Sequence, residues 1–174
     1  MSAKSKKRFS WRDGAWVALK GTVVVSIMMS LLWGASLYYR VGIDPQEVTS
    51  ISGYWVYLRS LGEEKPSRGD IFAFEIEGME PIFEDGRLLA KYVRGVPGDC
   101  IKVSSKGVFV NDMLVAEGFS AAHRLDLDPE SFYGQRCLKE KEYWMLGDTS
   151  ESFDSRYFGA VGEERLRGYV LPVL

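Results

Sequence analysis

Hydrophobic and polar positions follow two different patterns along the chain, with the change near residue 40. Gly21–Tyr39 (GTVVVSIMMSLLWGASLYY) runs for 19 residues without a charge, and Trp16–Leu19 extend it upstream. A helix of that length spans about 28 Å, close to the hydrocarbon core of a bilayer. The run is apolar on every face, as a span is, whereas a surface helix is apolar on one stripe. Trp11 and Trp16 before it, and Tyr38 and Tyr39 at its end, suit the two membrane interfaces. The expected division is a basic tail over 1–20, a transmembrane helix over 21–39 and a body over 41–174.

Beyond Val41 the apolar runs become short, alternating and bounded by turn residues, which predicts strands. Expected strands are Tyr54–Leu58, Asp70–Ile76, Leu88–Val93, Cys100–Val103, Glu142–Leu146 and Arg165–Val173. Gly107–Val115 reads as a hairpin turning at Asn111–Asp112. The polar, Pro129-containing stretch 117–141 is expected to be a loop insertion with one short helix. The fold class is therefore mainly β, with one N-terminal membrane helix.

Charge adds a direction. Of 22 basic and 24 acidic residues, seven and one lie in 1–40, leaving 15 and 23 beyond. Lys4, Lys6, Lys7, Arg8, Arg12 and Lys20 precede the span, while Asp44 and Glu47 follow it soon after Arg40. The positive-inside rule then places the N-terminus in the cytoplasm and the body outside. A cleaved secretory leader would show a shorter apolar core and a clear small-residue site, of which Ala35-Ser36-Leu37 is a weak version. A retained single-pass anchor is the expectation. A net charge of −2 gives no global field for nucleic acid. One histidine and two cysteines are too few for a structural zinc cluster, and no metal or organic cofactor is called for.

Three segments carry candidate chemistry: Ser50–Gly53 (SISG), Lys91–Asp99 (KYVRGVPGD) and Gly147–Gly159 (GDTSESFDSRYFG). A serine that attacks an amide needs a base, and with His123 the only histidine, in a polar loop, a lysine is the alternative. Lysine must be neutral to act, so its pKa must fall from about 10.4 to about 8, a cost of roughly 3 kcal/mol that apolar burial supplies. On a strand, Lys91 shares a face with Leu89 and Val93. Pro97-Gly98 suits the central positions of a type II turn, Asp154 and Arg156 an ion pair within their loop, and Asp99 and Asp148 turn anchors.

Together these segments resemble type I signal peptidases, the membrane-bound Ser/Lys proteases. Lys91–Asp99 is similar to their K-x-x-x-G-x-P-G-D box, Gly147–Gly159 to the last box ending S-x-D-S-R-Y-[WF]-G, and Ser50–Gly53 to the nucleophile box. The resemblance implies a signal-peptidase-like β-domain with Ser50 as nucleophile, Lys91 as general base and Ser152 orienting the lysine. It also implies small residues before the cleavage site of an exported preprotein. Where housekeeping members carry an oxyanion-hole serine this chain has Val48, so the hole would rest on backbone N–H groups such as that of Ser50, with Thr49 beside it. Ser52 and Gly53 stand where a proline is expected, and the last box is one residue short. The short box and compact chain resemble the conjugative-transfer branch, which matures pilin, so a prepilin is the finer expectation for the substrate.

Two readings of the cysteines stay open: a disulfide between Cys100 and Cys137 in an oxidising compartment, or two buried thiols. Two rival functions stay open as well. One is an inactive, membrane-tethered β-domain that binds a partner in a secretion or conjugation complex, in which Ser50 and Lys91 would lie apart. The other is a self-cleaving Ser/Lys repressor, which the apolar span argues against.

Overall fold

The computed structural model describes residues 11–44, 50–62 and 64–174. Val48, Thr49, Glu47 and the basic residues Lys4, Lys6, Lys7 and Arg8 lie outside the described residues. The chain forms two compact units, one up to Tyr38 and one over Tyr39–Leu174.

The first unit is a single helix, α1 (Trp11–Ser36), long and apolar enough to cross a membrane, with none of its residues buried. It begins ten residues before the uncharged run and stops three residues short of Tyr39, because alanine and other helix-compatible residues continue the pattern upstream. Its hydroxyls satisfy themselves: Thr22 donates to the Ala18 carbonyl, Ser30 to Ser26 and Ser36 to Trp33. That leaves no side-chain hydroxyl among these three wanting a partner in hydrocarbon. The Leu37 and Tyr38 N–H groups close the last turn on Gly34 and Ala35.

The second unit is built from two antiparallel sheets. Its strands are β1 (Tyr39–Ile43), β2 (Val56–Ser60), β3 (Ile71–Glu75), β4 (Leu88–Gly95), β5 (Cys100–Ser104), β6 (Gly107–Val110), β7 (Met113–Ala116), β8 (Gly134–Cys137), β9 (Glu142–Leu146), β10 (Val161–Gly162) and β11 (Leu166–Pro172). One sheet has the order β1-β2-β11-β3-β4-β9-β10 and the other β7-β6-β5-β8. Short helices α2 (Ser120–Arg124) and α3 (Ser155–Phe158) fill connections.

The continuous apolar run of β3 has a direct cause. Phe72 and Phe74 pack with Val93, Tyr143 and Met145 on one face, while Ile71 and Ala73 pack with Tyr57, Val170 and Ile51 on the other. A strand buried on both faces loses the alternation that a half-exposed one shows. The same holds for β9, whose Trp144 and Leu146 enter a third cluster with Ile101, Val108 and Val110.

The hairpin turn is where the sequence puts it, with Asn111 and Asp112 both at positive φ (49° and 64°), as a two-residue type I′ turn demands. The turn after β4 has Gly98 at φ 91° and an Asp99 N–H to Val96 carbonyl bond of 3.0 Å, the type II pattern. The Asp99 carboxylate fixes this turn by accepting from the Val96 N–H at 2.7 Å, from Arg68 at 2.7 and 2.8 Å, and from the Asn111 amide at 2.7 Å.

The structure differs from expectation in three places. Tyr39 belongs to β1, which pairs with β2 from Tyr39 opposite Ser60 to Ile43 opposite Val56, so the first strand begins on the last residue of what reads as the span. The strand expected at 54–58 is displaced to 56–60, because Trp55 and Val56 N–H groups are taken by the Leu174 carbonyl and the ladder to β11 begins at Tyr57. The insertion over 117–141 holds more than one helix: it also forms a 3₁₀ turn at Pro129–Phe132 and strand β8, which pairs with β5 from Cys100 opposite Cys137 to Val103 opposite Gly134. Cys100 and Cys137 are joined as a disulfide at that register.

Candidate active site

Lys91 sits in the middle of β4, opposite Phe72 of β3, with 2% of its surface exposed. Its strand phase puts the side chain on the face of Val93, in an apolar setting. Its Nζ donates to two hydroxyls, that of Ser50 in a short contact and that of Ser152 at 2.9 Å. Three residues separated by 41 and 61 positions in sequence thus meet at one nitrogen.

Burial is the leading influence on the amine and brings its pKa down to about 8. Asp154, Asp44 and Asp148 push it back up, and Arg156 pushes it down. Two of those carboxylates are committed elsewhere. Asp154 is fully buried and paired with Arg156 at 2.7 Å; it also accepts from the Gly147 and Arg156 N–H groups. Asp148 accepts from the Ser52 N–H with both oxygens at 3.0 Å and from the Ser52 hydroxyl at 3.1 Å.

The loop after β9 shapes this arrangement. Asp154 caps α3 through the Arg156 N–H, and Arg156 in turn donates to the carbonyls of Glu117, Gly118 and Thr149. The guanidinium fork therefore binds the insertion to the last box. Ser152 is 3% exposed inside this loop. The Asp148 N–H donates to the Ser50 carbonyl at 3.1 Å, so one aspartate holds both sides of the Ser50–Ser52 turn. Ile51, 1% exposed, anchors the same turn in the core.

Two participants escape a reading of the sequence by residue type. Gly147 approaches the site so closely that a Cβ there would meet the Ser152 side chain and lie 2.8 Å from the Ser50 carbonyl oxygen. Its place at the head of the last box was the available signal. Asp44 lines the same cavity as Ser50 and Lys91, with no local pattern to mark it. His123 is exposed on α2 and is not among the cavity-lining residues.

The cavity has a volume of about 300 Å³. Its floor includes Ala73 and Ala90, which are cross-strand partners, with Ile51, Tyr57 and Val170 around them. β4 pairs with β9 only over Tyr92–Gly95, so among the described residues Leu88–Lys91 have no strand on the side away from β3. The Ser50 hydroxyl, a desolvated amine, a small-floored cavity and an open strand edge adjoin one another.

The sequence profile of the family described as signal peptidase, peptidase S26, matches residues 15–174. A probable signal peptidase I-2 from Synechocystis sp. is 27% identical over 169 residues, covering 94% of this chain and 75% of the relative. Signal peptidase I from Bacillus licheniformis is 26% identical over 159 residues, covering 84% and 81%. A crystal structure of a signal peptidase I from Enterococcus faecalis is 27% identical and covers 61% of this chain and 97% of its own, with a TM-score of 0.39. With nearly its whole length matched, the chain belongs to the signal peptidase family, peptidase S26.

Proposed function

We propose that the chain is a membrane-anchored serine endopeptidase of the signal peptidase I type, in which Ser50 is the nucleophile and Lys91 the general base. The observation that carries this reading is the bond from Lys91 Nζ to the Ser50 hydroxyl within a buried setting. Neutral Lys91 takes the Ser50 proton as Oγ attacks the carbonyl carbon of the peptide bond. The resulting ammonium passes that proton to the departing amine, and a water then hydrolyses the acyl-enzyme with Lys91 again as base. Ser152 holds the amine in line, and the Ser50 N–H is the backbone donor for the oxyanion. The inactive-domain alternative, in which Ser50 and Lys91 lie apart, has no support in this geometry.

The leader would lie extended along the Leu88–Lys91 edge, with small side chains over Ala73 and Ala90. Helix α1 crosses the membrane once with its basic end in the cytoplasm, and the body acts on exported preproteins outside. A prepilin is the finer form of this substrate, suggested by the short last box.

The test is a pH profile of kcat/KM on a leader peptide for the wild type and His123→Ala. Because only the neutral amine accepts a proton, activity should rise about tenfold per pH unit below the pKa and level off above about 8. Both proteins should give the same curve. A limb near pH 6.5 that disappears in His123→Ala would assign the base to the histidine instead.

Gly147→Ala offers a second check. The added methyl must displace Ser152 or the Ser50 carbonyl, and a shift on the order of 1 Å in a reacting group costs about 100-fold. The expected result is a fall in kcat of that size, read in single-turnover cleavage, with KM changed far less.

A further inference from the structure

The cavity beside Ser50 and Lys91 is basic, although the chain beyond residue 40 carries 23 acids against 15 bases. Arg40, Arg59 and Arg87 line it together with Lys91, and Asp44 is the acid among its lining residues. Arg40 and Arg59 are register partners on β1 and β2, so antiparallel pairing puts both on one face, and Arg59 stands opposite Val170 on β11. Arg87 immediately precedes β4, four residues before Lys91, a distance of about 13 Å along an extended strand.

The bonds of Arg59 and Arg87 leave each with further donors. Arg59 donates one N–H to the Arg167 carbonyl at 3.0 Å and makes no ion pair among the described residues. Arg87 stacks over Phe83 at 5.2 Å, also without an ion pair among them. Glu75, the acid near Arg59, is already bound by Arg167. A guanidinium has five N–H donors in a planar fork, and a carboxylate is the group that matches it.

We propose that the cavity lined by Arg59 and Arg87 takes a carboxylate side chain of the substrate polypeptide, within about four residues of the bond that Ser50 attacks. This rests on the peptidase reading and adds an acidic requirement to the small residues next to the bond. An extended peptide has the same rise per residue as β4, so a chain seated with its reacting carbonyl at Ser50 brings a residue about four positions away to Arg87. In a cavity walled by Ala73, Ala90 and Val170, part of that contact is shielded from water, which strengthens a charged hydrogen bond.

The experiment uses the full chain in detergent and a set of quenched leader peptides. Each carries a single Asp, or its uncharged isostere Asn, at one of the five positions before or three after the cleaved bond. The expected result is one position at which Asp exceeds Asn in kcat/KM by roughly tenfold. That ratio should fall to near one in Arg59→Gln and Arg87→Gln, and be partly kept in Arg59→Lys. Arg87 is exposed, so its variant carries the test even where loss of the Arg167 bond disturbs β2. Cleavage with no position favouring Asp, or a preference unchanged in both glutamine variants, would overturn the subsite alone. Failure of the wild type to cut any peptide would overturn the peptidase reading, and the subsite with it.

Discussion

Lys91→Met should lower kcat/KM by about three to four orders of magnitude and leave the protein folded. On the proposed mechanism the substitution removes the group that accepts the Ser50 proton, and Ser50→Ala should give a loss of the same order. Stability changes little because two terms oppose each other. The folded-state pKa of Lys91 lies below its ordinary value, so between about pH 8 and 10.5 the unfolded chain holds a proton that the native chain has released. Stability therefore rises with pH across that window, and below about 8 the native state carries a buried cation at a cost of roughly 3 kcal/mol. Methionine removes this cost but leaves the Ser50 and Ser152 hydroxyls without their partner, at about 1–3 kcal/mol each. Urea midpoints for the variant should match the wild type near pH 7 and lose the rise between pH 8 and 10.5. A variant that retains cleavage would remove Lys91 from the mechanism.

Asp154→Asn has the largest expected effect on stability. The carboxylate and the Arg156 guanidinium are both fully buried, and Asp154 accepts from Gly147 as well as from Arg156. Removing its charge strands a cation in the core, which costs about 3–5 kcal/mol. For a body of this size that corresponds to a fall in Tm on the order of 10 °C or more, measured by calorimetry or circular dichroism. Arg156→Lys should lose a comparable amount, since an ammonium cannot bind Asp154 and three separate carbonyls in the geometry of the fork. Unchanged melting of both variants would mean that the loop is held by its apolar contacts, Phe153 against Tyr157 among them.

What the sequence reveals, and what it hides, divides by the range of the interactions. β9 and the Asn111–Asp112 hairpin are legible because their signals are local: a short aromatic and apolar run for the one, a turn dipeptide between apolar runs for the other. β1 is hidden because Tyr39 reads as the end of the apolar span and Arg40-Val-Gly-Ile43 is too short a run to mark a strand, so only pairing with β2 reveals it. β8 (Gly-Gln-Arg-Cys) has no strand pattern at all; it forms because the edge of β5 and the bond to Cys100 hold it in register. The box residues could be named from spacing, yet nothing local says that Ser50, Lys91 and Ser152 share one nitrogen across 41 and 61 positions. Arg59 and Asp44 acquire meaning only from the shared cavity.

The position of β11 governs when such an enzyme can begin to work. It is the last strand in chain order, yet it lies between β2 and β3 in the large sheet. During synthesis, at about 5–20 residues per second, the membrane helix and the segment bearing Ser50 emerge many seconds before the strand that joins the two halves of the sheet. Until then β2 has only β1 beside it, although the Asp148 N–H that holds the Ser50 carbonyl is already made. On the proposed reading, a chain that has not yet made β11 would hold Ser50 and Lys91 in an unfinished sheet, and cleavage would wait for that strand to close it.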